Sequence, residues 1–432
     1  MNESESTGAK LTLVAVLGFW GLCCFSSAGT VIRSTTIRPA QFNLTDISAV
    51  ELVFTEEHDA LLPVLKVHTF SSTAAPGKDL LYINGTWTDL KEHGFLLNTF
   101  ERGGQLYAVF QGQASDEITI QKVQPSGGLV STGNIEGELI KLSPPGCLNN
   151  LLPVQERNSS YYLLTGRWEF PINPGEFLFD LASGGHGVYY VKPFMTEVQD
   201  GKPGKPQKLS YGGTRDETFY VKRVCQSGDW VHFLGFRQAE RRAWGPREIE
   251  ATPVILHHVA YDLKNRKVIQ TSPIYTNSPR SEADGNIWYR YDYGDFSMDA
   301  EGKDVFVAFV WAKFSHPANQ SFTEEKHIES NILYWDCRQN QAGQVEKITG
   351  GFLPVVRADS LGDVHLFYVN TNANLMHKAK RNGVWQKEDV LVNRVEAKPY
   401  FGTIAAAFDK NDNLHVVYPL NGNLVYAVAK VD

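Results

Sequence analysis

Short runs of alternating apolar and polar residues recur along the chain, separated by Asn, Asp and Gly. Near the C-terminus one unit is legible twice. Ala358-Asp359-Ser-Leu-Gly-Asp-Val-His365-Leu-Phe-Tyr368 is followed by Asn374-Leu-Met-His-Lys-Ala-Lys380. Fifty residues after Asp359 comes Asp409, then His415, Tyr418 and the run Asn423 to Lys430, with the Asp-to-His spacing kept. Period-two alternation predicts half-buried strands. Short strands repeating with turn residues between them predict blades of a β-propeller.

Each blade should hold four antiparallel strands, named A to D from the axis outward. The sixth repeat reads as Phe352–Ala358, Val364–Tyr368, Leu375–Lys380 and a D strand after Asn382-Gly383. Asn-Gly is the strongest short hairpin signal. Asn84-Gly85-Thr86-Trp87 in the first repeat matches Asn382-Gly383-Val384-Trp385 in spacing. Working back from the sixth, A strands are expected at Ile287 onward, Thr218–Val224, Leu148–Val154, Leu96–Phe100 and Val50–Phe54. The third repeat should place its C strand at Gly187–Lys192. The second should have only a weak D strand. The count is seven blades, all-β, with six or eight as the alternatives.

The last repeat ends without a D strand. Thr30–Pro39 alternates Val-Ile with Thr and has no blade of its own. It is expected to pair with Leu424–Ala429 and close the ring, since an open ring leaves two exposed sheet edges.

The repeats resemble the superfamily of propellers with sialidase-like or BNR-like repeats, and related lectin propellers. The resemblance is carried by the last two repeats. The sialidase Asp-box is absent from every blade. That group includes lectins, glycoside hydrolases and polysaccharide lyases, so the resemblance implies carbohydrate more than it implies chemistry.

In a four-stranded blade the D-to-A and B-to-C connections share one face. The long connections predicted there are 131–146, 166–186, 238–252, 276–286 and 312–330. Long loops gathered on one face of a rigid scaffold mark it as functional. Thr196–Gln207 is the exception, a Gly/Pro/Lys-rich C-to-D loop on the opposite face. The long loops hold Arg167, His186, Arg242, Trp244 and Arg280 among alternating Arg and Glu. Trp288, Arg290 and Asp292 should share one side of the entering strand of the fifth blade, opposite Tyr289, Tyr291 and Tyr293. Arginine binds carboxylate bidentately, so this set is the candidate site for an acidic glycan. Mutually paired surface charges and packing aromatics are the alternative.

Composition narrows the partners. The net charge is −7 and there is no basic block, so nucleic acid is not expected. Lys10 precedes the apolar run Leu11–Phe25, and Ser26-Ser27-Ala28-Gly29 offers a cleavage site. Residues 1–28 therefore read as a signal peptide, with an uncleaved anchor as the alternative and the one route to a membrane. Residues 29–432 read as a single propeller domain, secreted to the extracellular space or a periplasm. Cys147, Cys225 and Cys337 then remain, an odd number that suits buried free thiols. Sequons at Asn43, Asn84, Asn158 and Asn319 permit glycosylation. Oligomeric state stays open.

His232, His365 and His415 occupy the same position in three repeats. That argues for a structural tie to a neighbouring blade, or to Asp359 and Asp409, rather than a metal cluster. His257 and His258 are adjacent on a strand, so their rings point to opposite faces. No metal or cofactor motif, phosphate loop or nucleophile elbow is present. His186, His316 and His327 could meet only through long loops. Three classes stay open: a glycan-binding module, an enzyme on acidic glycans (lyase or glycoside hydrolase), and a protein-interaction scaffold. Arg290, Tyr291, His186 and His327 could serve a lyase. Glu169, Glu217, Glu282, Asp284 and Asp292 are the carboxylates available to a hydrolase.

Overall fold

The computed structural model describes residues 29–37, 46–57, 60–69, 78–112, 117–136, 150–154, 160–169, 190–212, 217–239, 254–277, 280–284, 287–317, 326–339, 344–399 and 402–431. They form an all-β propeller fold. The 3-10 residues among those described are the turn Lys91–His93 and Asp46.

Among the described residues the strands lie in six sheets. The first orders Ile47–Glu57, Ala60–Thr69, Asp79–Ile83 and Thr86–Asp89. The second orders Phe95–Arg102, Gln105–Gln111, Glu117–Val123 and Leu129–Glu136. The third has Asn150–Pro153, Ser160–Glu169 and Tyr190–Gln199, then the short outer pieces Lys202–Pro203 and Gln207–Lys208. The fourth has Glu217–Ser227, Trp230–Ala239, Val254–Asp262 and Lys267–Asn277. The sixth joins Ala405–Phe408, Asn413–Leu420 and Asn423–Val431 to Gly29–Ile37.

The fifth sheet is continuous and nine-stranded. One long strand, Glu346–Ala358, explains this. Glu346–Gly350 pairs with Lys326–Asp336, while Gly351–Ala358 pairs with Val364–Asn370. The strand thus serves as the outer strand of one unit and the innermost strand of the next. Seven separate blades were expected; the separate four- or five-stranded sheets number five. The expected fifth and sixth blades are fused through this shared strand, because no turn interrupts the run between them.

Other boundaries also shift. The weak D strand of the second repeat is the full strand Leu129–Glu136, so the loop expected from 131 starts later. Tyr190–Gln199 occupies part of the expected C-to-D loop of the third repeat, whose C strand was placed too early. Asp304–Pro317 and Lys326–Asp336 take up both ends of the expected 312–330 loop. Arg280–Asp284 is a strand paired with Ile287–Glu301, not a loop.

The hairpins follow their turn residues. Asn84 and Gly85 adopt φ of 48° and 87°, and Asn382 and Gly383 adopt 49° and 79°. Both central residues are left-handed, as the tight two-residue hairpin requires and as Asn-Gly tolerates.

Gly29–Ile37 pairs antiparallel with Asn423–Val431, from Gly29 opposite Val431 to Ile37 opposite Leu424. The strand-to-strand pairing expected of this segment is present. Ile37 enters an apolar cluster that joins the sixth sheet to the first, with Val50, Leu52, Leu65, Val417 and Val428. Gly402 also donates its N–H to Ser48 O at 2.9 Å, and Val50 donates to Gly402 O at 2.6 Å. Corresponding apolar clusters fill the space between consecutive sheets and between the two halves of the fifth. Burial between sheets, rather than within any one, is the main apolar contribution to stability.

Candidate functional site in the axial channel

The innermost strands converge on a cavity of about 700 Å³. Four sheets contribute. Glu51 and Lys66 come from the first, Asn98 to Gly104 from the second, Asn150 to Pro153 from the third, and Lys222, Arg223 and Gln226 from the fourth. Much of the lining lies toward the C-terminal ends of innermost strands, on the side of the short A-to-B turns.

Bulges aim these side chains. The pairing register shifts between Leu96 and Asn98 and between Val221 and Arg223. An extra residue in one strand of a pair bends it and redirects the next side chain. The bulge at Lys222 places two consecutive cations between Phe219-Tyr220-Val221 and Val224-Cys225.

Some lining residues are structural. Asn98 donates Nδ2–H to Leu151 O at 3.0 Å and accepts from Leu151 N at 3.0 Å, so its amide imitates a peptide between two sheets. Gln226 donates to Pro153 O at 2.7 Å. Arg102 lies 4.6 Å over the Tyr161 ring and donates to Tyr161 Oη at 3.1 Å.

Others offer chemistry. Lys66 Nζ pairs with Glu51 at 2.9 Å, with side-chain exposures of 6% and 48%. Lys66 first, then His68 and Arg223, hold the Glu51 carboxyl at about 2, against the pull of burial. Burial first, then Glu56, pushes the Glu101 carboxyl up, opposed by the Gly104 N–H. Lys222 and Arg223 are exposed in the channel. Asn150 Nδ2 is buried there with no hydrogen-bond partner among the described residues. The lining therefore holds four cations, Lys66, Arg102, Lys222 and Arg223, against two acids, Glu51 and Glu101.

The residues predicted from the loops fall elsewhere. His186, Arg242 and Trp244 lie outside the described residues. Arg167 sits in the second strand of the third sheet, opposite Lys192. Arg280 and Arg290 are direct cross-strand partners, so the fold does bring these two positions together. Trp288 stands opposite His316 and Asp292 opposite Ala312. Asp292 Oδ1 accepts from Tyr293 N at 2.8 Å. The three tyrosines are occupied in packing. Tyr289 lies under Lys313 Nζ at 4.1 Å, Tyr291 stacks on Trp311 at 5.1 Å, and Tyr293 donates to Val254 O and Tyr275 O. Of the other groups considered for catalysis, Glu169, Glu217, Glu282 and Asp284 lie at strand positions without described side chains.

The repeated histidines are structural ties, two within a blade and one to the next sheet. His365 Nε2–H donates to Asp359 Oδ2 at 3.2 Å, and His415 Nε2–H to Asp409 Oδ2 at 3.3 Å. His232 Nε2–H donates instead to Gly302 O, 2.9 Å away on the next sheet. His258 meets His232, while His257 faces Phe219 on the other side. Cys225 and Cys337 are free thiols, and burial pushes the Cys225 thiol up to about 12. Cys147 lies outside the described residues.

No family model matches the chain, and no curated protein does. Solved structures do. An α-L-arabinofuranosidase from Fusarium graminearum, in complex with an iminosugar inhibitor, aligns at a TM-score of 0.41 and 7% identity over 94% of this chain and 98% of its own. A complex of the GH93 α-L-arabinofuranosidase of that fungus with arabinobiose aligns at 0.38 and 9%, over 85% and 98%. Aleuria aurantia lectin in complex with α-methyl-L-fucoside aligns at 0.37 and 8%, over 82% and 97%. Likeness this distant assigns neither a family nor a ligand, and the BNR-like kinship gains no support from it.

Proposed function

We propose that this chain is a secreted propeller that binds carbohydrate, with acidic glycans preferred, in its axial channel and on its long-loop face. The channel lining carries the reading. A cavity of about 700 Å³ is lined by amides, carboxylates and a surplus of cations. That volume lies within the ~300–1,000 Å³ range of small-molecule sites. Amide and carboxylate groups suit hydroxyls, and Arg223 with Lys222 suits a sugar carboxylate. Arg280 and Arg290, at facing positions of a strand pair, would extend the cationic path; Trp288, Asp292 and Arg167 are further candidate contacts, as are His186, Arg242 and Trp244, which lie outside the described residues. The apolar cluster between the sixth sheet and the first, and the pairing of Gly29–Ile37 as the last outer strand, support a closed ring.

A glycan array with acidic and neutral members tests this. Wild type should bind acidic oligosaccharides best. Arg223→Gln should weaken those selectively, and Arg290→Lys with Trp288→Ala should report the loop face. Absence of acidic ligands, or equal binding by all variants, would sink the proposal.

A second reading is glycoside hydrolysis, favoured by one observation. Glu51 and Glu101 line the same cavity with carboxyls pushed in opposite directions. Carboxylates separated in this way are suited to acid and base roles. Release of reducing ends from a bound glycan, lost in Glu101→Gln, would establish it.

A further inference from the structure

A second cavity, of about 490 Å³, opens between the fourth sheet and the first half of the fifth. Its walls come from the start of the Trp230–Ala239 strand, the outer strand of the fourth sheet, and the two turns at Lys303 and Arg338. These are A-to-B and C-to-D turns, so the groove lies on the face opposite the long loops.

The turn at Lys303 is fixed beside Trp230 by bonds between the two sheets. Gly302 donates its N–H to Ser227 Oγ at 2.8 Å, and its carbonyl accepts from His232 Nε2 at 2.9 Å. On the far wall Arg338 is rigid. It donates to Asp336 at 3.2 and 3.1 Å and lies 4.5 Å over the Phe306 ring.

Trp230 is the unusual member. Five tryptophans have described side chains, and the other four make ring contacts with Tyr82, Tyr291, His258 or Tyr334. The half-buried Trp230 has no ring partner and no hydrogen bond at Nε1 among the described residues. Neither Lys303 nor Asp304 forms a side-chain hydrogen bond or ion pair among them. Ile269, beside Trp230 in the groove, is an exposed aliphatic side chain. The groove therefore presents an indole, an apolar neighbour, a carboxylate and an ammonium, none with a side-chain hydrogen bond or ion pair among the described residues, with Asp304 in the electrostatic field of Arg338.

We propose that this groove is a second carbohydrate subsite that takes a single neutral pyranose, its C–H face against Trp230 and vicinal hydroxyls held by Asp304 and Lys303. An indole supplies apolar contact area with a polar N–H at its edge, which matches the two-sided chemistry of a pyranose. Asp304 accepts from hydroxyls and Lys303 donates to them. With Arg338 committed to Asp336, no forked cation is left in the groove to prefer a carboxylate ligand. The subsite extends the carbohydrate reading of the chain, but uses residues separate from the axial channel.

The test uses the full chain and two probes, read by saturation-transfer NMR and calorimetry. One probe is a panel of methyl pyranosides of glucose, galactose, mannose and N-acetylglucosamine. The other is tetragalacturonate, for the channel. At least one methyl glycoside should bind. Trp230→Ala should weaken it by about tenfold or more, the scale of one aromatic contact, while Trp230→Phe keeps much of the affinity. Asp304→Asn should weaken it too, and decides the question if Trp230→Ala fails to fold. None of these variants should change tetragalacturonate binding. No methyl glycoside bound, or binding untouched by Trp230→Ala and Asp304→Asn, overturns the subsite. Glycoside binding without tetragalacturonate binding would leave the subsite standing and count against the acidic channel alone.

Discussion

His365 Nδ1 lies 2.9 Å from His377 Nε2 in a buried, stacked pair, while His365 Nε2 faces Asp359 Oδ2 at 3.2 Å. The carboxylate fixes the proton on His365 Nε2. His365 Nδ1 must then accept, and His377 Nε2–H must donate. The fourth sheet repeats the arrangement, with His232 Nδ1 and His258 Nε2 at 3.0 Å and Gly302 O in place of the carboxylate. In the sixth sheet Tyr426 Oη donates to His415 Nδ1 at 2.7 Å. Three repeats thus use one relay between turn and third strand, and every imidazole in it works as the neutral form.

A pH prediction follows from that protonation state. Burial first lowers His365, His232 and His415, holds His258 well below its ordinary value, and brings His377 to about 3. Folded values below the unfolded ~6.5 mean the unfolded chain binds protons first as pH falls. Their contribution is complete above pH ~6.5 and is lost as pH falls toward the folded values. Thermal melts should be flat from pH 8 to about 7 and fall steadily between about 6.5 and 4. A melting temperature constant from pH 7 to 5 would contradict the neutral relay.

Truncating one relay should cost stability and spare binding. His365→Ala leaves the His377 donor and the Asp359 carboxylate without their partner. The expected loss is about 1–3 kcal/mol, the range for an orphaned buried polar group. Urea melts should show a lower midpoint at unchanged slope. Affinity per folded molecule for any glycan should not move, because His365 lines neither cavity.

The strand at Gly29–Ile37 should act as a clasp. Ile37 is buried in the cluster that joins the sixth sheet to the first. Ile37→Ala should cost about 2–4 kcal/mol, as for other core truncations. Deleting residues 30–37 should lower the melting temperature further and admit protease near Leu424–Ala429, by freeing the edge of Asn423–Val431. A thermally silent deletion would show that the clasp carries no load.

Much of the fold was legible because repeats announce themselves. Asp359 and Asp409 each accept from two backbone N–H groups of the turn that follows them, which is why Asp recurs at that position. The fused strand Glu346–Ala358 was not legible as one element, since Gly350-Gly351 reads as a turn yet is extended here. The channel residues were missed for a different reason. Glu51, Asn98 and Arg223 come from the innermost strands of three different sheets, and only the packing of those sheets brings them to one cavity. The signal available was Lys222-Arg223, two charges inside the apolar stretch Phe219–Cys225. The long loops drew attention because their composition is conspicuous. Composition does not report where an axis lies.

The Lys66–Glu51 pair should respond asymmetrically to truncation. Lys66 is buried and Glu51 is half exposed to the channel. Glu51→Ala strands an ammonium in the core, so its cost should approach the ~3–5 kcal/mol of an uncompensated buried charge. Lys66→Met leaves a carboxylate that channel water can solvate, and should cost clearly less. The acid limb should move as well. Glu51 is held at about 2, below its unfolded value near 4.5, chiefly by Lys66. Its stabilisation is therefore present above pH ~4.5 and lost as pH falls toward 2. In Lys66→Met that depression should largely vanish, leaving His68 and Arg223 as weaker supports, and the loss between pH 4.5 and 2 should shrink. Urea melts of the three proteins at pH 7, 4.5 and 3 would measure both effects. Equal costs for the two truncations, or an acid limb unchanged in Lys66→Met, would mean that the pair does not hold the charge of Glu51.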